Sequence, residues 1–209
     1  MTTTKLWAES LRISSDTDLQ PIADYSKPYP RSAREVAVRS LILHGVAAAA
    51  YEVNEEPIIR WFEHQGIWDS VTPCERKFLM SSTKAKSEQI KFQWKQEAEW
   101  TLLWMIGKVP SLALPTHFCD TRLLADEIIP PLGDDVDEFI ENATLRHPGA
   151  LLAEDDRTYD LWCNALACRR RNEGLPNDLK LGVLFERRYA FEWVAGHSHG
   201  HWDDITCDA

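Results

Sequence analysis

The segment that most constrains the fold spans residues 87–107 and reads SEQIKFQWKQEAEWTLLWMIG. It contains no proline, and its only glycine is its last residue, so nothing within it interrupts a helix. At about 100° per residue, one apolar arc is formed by Ile90, Trp94, Ala98, Thr101, Leu102 and Met105. Phe92, Leu103 and Ile106 lie on the opposite face. The C-terminal half is therefore apolar on every side, which predicts a central helix surrounded by others.

The rest of the chain predicts further helices and no strands. Two capping boxes, Ser32 to Glu35 and Thr72 to Glu75, mark helix starts. Helical spacing of apolar residues or flanking turn signals indicate helices at about 32–51, 57–65, 72–80, 122–129, 134–143, 150–172 and 179–195. We find no alternation of the kind that half-buried strands show. The sequence predicts an all-α protein, a single compact domain of about eight helices around residues 87–107.

Two parts of unequal size are expected. Residues 1–30 contain Pro21, Pro28 and Pro30, which favour an extended N-terminal arm, and the aromatic residues of this region suggest that it packs on the body. Residues 31–209 form the helical domain and end in a short C-terminal tail.

The formal net charge of −10 over 209 residues limits the classes of partner. It argues against nucleic acid and against an anionic membrane surface, and it is compatible with a basic protein partner. No apolar run approaches the roughly 20 residues needed to span a bilayer. The five cysteines include no C-x-x-C pair and no secretory signal precedes them, so we expect reduced thiols in a cytoplasmic protein. No phosphate-binding, dinucleotide or hydrolase motif is present, so no cofactor and no catalytic residue is predicted.

Five charged residues fall on apolar helical faces, and they form the main candidate site. A lone charge in a core costs several kcal/mol, so these groups must pair, reach water or line a cavity. We predict that Glu97 is buried and bonded to Arg39 or Arg187. Three interpretations stay open: a salt-bridge cluster that fixes helix register, a pocket for a ligand or acid/base chemistry, or an exposed set. The five residues are Arg39, Glu97, Asp155, Arg169 and Arg187.

A second constellation is His197, His199 and His201 near the C-terminus. Imidazoles at this density can bind zinc or nickel. Residues at i and i+2 share a face only in an extended strand, however, and the intervening residues include Gly200. A specific metal site is therefore not predicted.

Five motifs occur in a characteristic order along the chain. They are VAVRSLILHGVAAAAY, QWKQEAEWTLLWMIGKV, the Cys119-Asp120 pair, FERRYAFEW and WDDIT. Over roughly residues 33–206 this ordered set resembles the bacterial family catalogued as domain of unknown function 4272. The resemblance implies no activity, but it adds Glu186 to the candidate polar cluster, because Glu186 lies beside Arg187 in one of these motifs. The three histidines before Trp202 depart from the family pattern, which further weakens a metal role.

These observations favour a non-enzymatic protein that binds another protein through its acidic surface, such as an immunity protein that neutralises a toxin. The alternative is a small-ligand-binding protein or an enzyme that uses the cluster of Glu97, Arg39 and Arg187. The first hypothesis predicts a basic partner, and the second predicts a solvent-connected pocket at these residues. The oligomeric state is left open.

Overall fold

A computed structural model describes residues 29–196 and 200–207, and every regular element within them is helical. The eight helices are α1 (Ala33–Ala50), α2 (Glu55–His64), α3 (Pro73–Met80), α4 (Lys86–Met105), α5 (Thr121–Leu123, continued by a π turn over Leu124–Ile128), α6 (Asp137–Glu141), α7 (Pro148–Arg170) and α8 (Leu181–Ala195). Three short 3₁₀ turns lie at Trp68–Ser70, Pro176–Asp178 and Trp202–Asp204. The prediction of an all-α domain is confirmed.

Helices α1 and α4 form the centre of the fold. The capping box at α1 is present: the amide of Glu35 donates to Ser32 Oγ at 3.2 Å, and the amide of Ser32 donates to Glu35 Oε2 at 2.8 Å. Of all the helix pairs, α1 and α4 share the most extensive contact. Helix α2 crosses α1 at Gly45, where a Cβ atom would lie 2.5 Å from the Phe62 ring. Only a residue without a side chain allows this approach.

The C-terminal half of α4 is enclosed as predicted. Nearly every residue from Glu97 to Met105 is buried, since α1 packs on one side and α8 on another, and α8 in turn packs on α7. The N-terminal half differs from the prediction, because Ile90 is 43% exposed. The helical period identifies the apolar face of a helix but not how far along that face its neighbours extend.

The segment between α4 and α5, residues 106–120, is irregular, and hydrogen bonds from other parts of the chain hold it in place. The side chain of Arg146 donates to the carbonyls of Trp104 at 2.6 Å and Val109 at 2.7 Å. The amide of Lys180 donates to the Pro115 carbonyl at 2.7 Å. This segment, called the α4–α5 loop below, forms one wall of the candidate site.

The structure shortens one predicted helix and covers only the end of the predicted N-terminal arm. The helix predicted at about residues 134–143 is shorter in the structure, since α6 has Val136 at its N-cap position, and the carbonyl of Asp134 accepts from the Trp61 indole at 2.7 Å. The predicted arm lies outside the described residues except for its last two, of which Tyr29 packs against the main core. Across the described parts of the chain, none of the helices combines the length and apolar character that a membrane crossing requires.

Candidate functional site

Glu97 is a side chain of the central helix that is buried and only half satisfied, as is Glu99 two residues later. It is 3% exposed. Its Oε1 accepts the backbone amide of Cys119 at 2.7 Å, which joins α4 to the α4–α5 loop. Its Oε2 has no hydrogen-bond partner among the described residues. A buried carboxylate oxygen without a partner is costly and calls for an explanation.

A cavity of about 360 Å³ lies at Glu97 and opens to solvent; we call it the Glu97 pocket. Three aromatic side chains contribute to its walls, and two of them are strongly exposed, Tyr51 at 53% and Phe118 at 63%. The pocket is lined by Tyr51, Gln93, Trp94, Gln96, Glu97, Phe118, Cys119 and Thr121. The Trp94 and Phe118 rings meet edge to face, with centroids 5.5 Å apart. None of the lining residues is basic.

Burial raises the pKa of both acidic groups of the pocket, Glu97 and Cys119. Burial raises the pKa of the Glu97 carboxyl, and the Cys119 amide and the charge of Arg187 oppose this only partly. Burial also raises the pKa of the Cys119 thiol, and the neighbouring carboxylates of Glu97 and Glu99 raise it further. A thiol held in its protonated form is a poor nucleophile, so the chemistry of this pocket points to binding by Glu97.

Arg187 lies on the other side of the same loop. Its Nη1 donates to the Ala113 carbonyl at 2.7 Å, and its Nε has no partner among the described residues. It lines a second cavity of about 290 Å³, together with Trp100 and His117. No ion pair within 4.0 Å joins Glu97 to Arg187 or to Arg39 in the described chain, so the predicted direct pairing is wrong. Each group bonds instead to the backbone of the α4–α5 loop, Glu97 at Cys119 and Arg187 at Ala113, which helix periodicity could not show.

The other predicted members of the cluster lie in separate ion pairs. Arg39 pairs with Glu75 at 2.9 Å, and Asp155 pairs with Arg188. Glu186 pairs with Lys95 at 2.8 Å. Arg169 forms no part of the interior: it is exposed near the C-terminal end of α7, which for this residue is the third of the three interpretations. The interior therefore contains several local pairs, because each helix meets a different neighbour.

Lys95 occupies the most complete of these arrangements, which we call the Lys95 cage. Its ammonium nitrogen lies 2.8 Å from Glu186 and 3.5 Å from the centroid of the Tyr189 ring. The Phe185 and Trp202 rings lie farther off, at 5.9 and 5.7 Å. Burial lowers the pKa of Lys95, and Glu186 opposes this shift. A carboxylate and aromatic rings thus hold a buried cation.

The buried charges that the sequence-based reasoning missed share one signal. Lys95 and Glu99 lie three and seven residues after Phe92, on the second apolar face of α4, where a charge is as exceptional as at Glu97. Glu99 Oε1 lies 3.0 Å from His44 Nδ1 and gives that histidine a partner, whereas Glu99 Oε2 has none among the described residues. Arg188 lies four residues after Leu184 on α8 in the same way. Examining both apolar faces of each helix would have found them.

A wide groove beside Trp202 has a volume of about 1120 Å³. Arg39 and His201 line it, together with other basic residues and several acidic ones. His197 and His199 lie outside the described residues. Within the parts of the chain that the structure describes, there is no group of three or more His, Cys, Asp or Glu residues that could hold a metal ion.

One stretch of the surface is strongly acidic, and it begins at the Glu97 pocket. Over residues 120–141 eight acidic side chains, all exposed, face a single basic one, Arg122. The acidic residues are Asp120, Asp126, Glu127, Asp134, Asp135, Asp137, Glu138 and Glu141. We call this stretch the acidic segment. Its second residue, Thr121, lines the Glu97 pocket, so the start of the acidic segment borders the pocket.

Comparison with known proteins identifies the family. The model of the family described as "Domain of unknown function (DUF4272)" matches residues 2–205 of the 209-residue chain. The chain belongs to this family. The DUF4272 match confirms the resemblance seen in the sequence and extends it toward the N-terminus, through the region predicted as the arm. No curated protein and no solved structure matches the chain.

Proposed function

We propose that this DUF4272 protein is a non-enzymatic module that binds a basic protein partner, and that its specific role is that of an immunity protein which neutralises a toxin. The observation that carries the proposal is the acidic segment, with eight exposed acids against one arginine over 22 residues and a partly aromatic pocket at its start. A surface of one sign accelerates encounter with a partner of the opposite sign and disfavours other partners.

The composition of the surface near the pocket supports a protein partner over nucleic acid. The exposed aromatic rings of Tyr51 and Phe118 resemble the anchor residues that protein interfaces use. The formal charge of −10 repels a phosphate backbone.

The Glu97 pocket also favours a second candidate function, the binding of a small ligand. Its volume of about 360 Å³ is within the range of ligand sites, and its lining includes aromatic side chains and Glu97, whose Oε2 has no partner among the described residues. This candidate requires no basic protein partner. It predicts that a small molecule alone saturates the pocket and that the acidic segment is dispensable.

The experiment that tests the first function uses the product of the neighbouring gene as the candidate partner. We expect a complex with nanomolar affinity in titration calorimetry, and an affinity that falls as salt is raised, because exposed charges are screened. Co-expression should also suppress the toxicity of that product. Absence of binding at micromolar concentration would contradict the proposal.

A matched pair of variants locates the surface that binds. Glu127→Gln/Glu138→Gln removes two charges from the acidic segment and should weaken the complex on the order of tenfold. Glu56→Gln/Glu63→Gln removes the same charge from the exposed side of α2 and should leave the affinity nearly unchanged. Equal effects of the two variants would show that net charge acts without a defined surface.

A further inference from the structure

We propose that the Glu97 pocket accepts the cationic end of an arginine or lysine side chain from the partner protein. The inference rests on the proposed function for the source of the cation, and it adds the residue type that the partner inserts and the atoms that receive it. Four observations support it: the Glu97 carboxylate, the aromatic walls of the pocket, the Lys95 cage, which holds a cation elsewhere in the same fold, and the acidic residues near the pocket.

The first observation is the Glu97 carboxylate oxygen, Oε2, that has no hydrogen-bond partner among the described residues. Glu97 Oε1 is held by the Cys119 amide at 2.7 Å, which fixes the carboxylate plane against the loop. Oε2 is left without a donor among the described residues, although Glu97 is only 3% exposed. A donor brought by a ligand would satisfy this oxygen, and a charged N–H donor forms the strongest hydrogen bond with a carboxylate.

The second observation is the character of the walls. Tyr51, Trp94 and Phe118 surround a site that holds one acidic group and no basic one among its lining residues. Aromatic faces attract ammonium and guanidinium groups through the ring quadrupole, and a carboxylate beside them adds the opposite charge. An anionic or purely apolar ligand would leave the Glu97 oxygen unpaired.

The third observation is the Lys95 cage. There the same fold holds an ammonium group with a carboxylate at 2.8 Å and an aromatic centroid at 3.5 Å. The Glu97 pocket has the same two kinds of group, but no cation of the described chain occupies it.

The fourth observation is the position of the pocket. It opens beside the start of the acidic segment, while the Arg187 guanidinium binds the Ala113 carbonyl and lines the other cavity. A basic protein surface approaching the acidic segment would meet the pocket.

The test follows two resonances of the isotope-labelled full chain by NMR. The Cys119 amide reports on Glu97 directly, since it donates to that carboxylate, and the Trp94 indole reports on the wall. Titration with N-acetyl-arginine amide or N-acetyl-lysine amide should shift both resonances in a saturable way at millimolar concentration. The neutral isostere N-acetyl-citrulline amide should not. Equal shifts with the citrulline probe, or none with either cation, would overturn the inference.

Two variants keep the inference falsifiable if one of them is unstable. Glu97→Gln should weaken binding of the arginine probe at least about tenfold through loss of a charge-assisted hydrogen bond. Phe118→Ala changes a largely exposed side chain and should weaken binding about 2- to 30-fold. Glu63→Gln, which removes an exposed charge on α2, is the control and should bind as the wild type does. A folded Glu97→Gln variant with wild-type binding would contradict the assignment.

The final measurement separates this inference from the proposed function. In a complex with the neighbouring gene's product, the Cys119 amide should shift as it does with the arginine probe. Glu97→Gln should then weaken the complex. If the partner binds with unchanged affinity to Glu97→Gln, the inference is wrong and the proposed function stands. If no partner binds but the arginine probe does, the proposed function fails together with the protein source of the cation.

Discussion

Lys95 and Glu97 lie two residues apart on α4 and meet different surroundings. Lys95 contacts the carboxylate of Glu186 and the ring of Tyr189, both on α8. Glu97 contacts one backbone amide of the α4–α5 loop and otherwise borders an open cavity. The cage is complete within the chain, whereas the pocket lacks a partner for one oxygen among the described residues. If the Glu97 pocket binds a ligand as proposed, buried charge serves structure at Lys95 and recognition at Glu97.

The largest effect should come from breaking the Lys95 cage. Lys95→Ala leaves Glu186 buried without its cation, and we expect a loss of about 3–5 kcal/mol in the free energy of unfolding. Lys91→Ala, on an exposed position of the same helix, should cost less than about 1 kcal/mol. Urea denaturation followed by circular dichroism measures both. A loss below about 1 kcal/mol for Lys95→Ala would show that the cage is not structural.

A second variant disturbs the wall of the pocket without changing any charge. A Cβ atom at Gly182 would lie 2.5 Å from the Trp94 ring, so Gly182→Ala should displace Trp94 and cost about 1–3 kcal/mol. The Trp94 indole resonance should shift, while resonances of the Lys95 cage stay in place. Gly174→Ala is the control, because no heavy atom lies within 4 Å of its added Cβ. An unperturbed Trp94 in Gly182→Ala would contradict the packing described here.

Replacement of Glu97 should cost little stability and should change its dependence on pH. Glu97→Gln keeps an oxygen for the Cys119 amide, so we expect a change within about 1 kcal/mol at pH 7. Burial raises the pKa of Glu97 in the folded protein, so its contribution to stability is present below pH 4.5 and is lost as pH rises through the raised pKa. The variant lacks this loss, and its stability relative to the wild type should increase as pH rises.

Four other residues interact electrostatically with Glu97, and they must be considered when the stability of the wild type and of Glu97→Gln is compared as a function of pH. They are the Cys119 thiol on the loop, Arg187 and Glu186 on α8, and Tyr51 after α1, whose own pKa is raised first by burial and also by Cys119 and Glu97. All four residues are retained in the variant, so the difference between the two pH profiles reports Glu97 together with its effect on the pKa of these neighbours. Parallel profiles for the two proteins between about pH 4 and 8 would show that Glu97 does not titrate in this range.

The smallest effect on stability is expected at the exposed rim of the pocket. Phe118→Ala should change the free energy of unfolding by no more than about 0.5 kcal/mol, because the side chain is 63% exposed. Thermal and urea denaturation should therefore match the wild type, although binding of the arginine probe weakens. A large loss of stability would show that Phe118 belongs to the core and not to the exposed rim of the pocket.

The sequence by itself determined the helices and the residues that do not suit their surroundings. Capping boxes at Ser32 and Thr72 marked two helix starts, since these signals act within four residues. The uninterrupted apolar character of residues 87–107 identified α4 as the central helix, and the charge of Glu97 on its apolar arc identified a buried carboxylate. These are local properties, and helix geometry alone converts them into burial.

Only the tertiary structure decided the partner of each buried charge. Arg39 meets Glu75 and not Glu97, because α3 lies next to α1 at that point, and Glu97 and Arg187 each bond to the backbone of the irregular α4–α5 loop and not to each other. No periodicity describes that loop, so its contribution of the Cys119 amide and the Phe118 wall could not be predicted. The period of a helix determines which face a side chain occupies, whereas the identity of its neighbour depends on how distant segments pack.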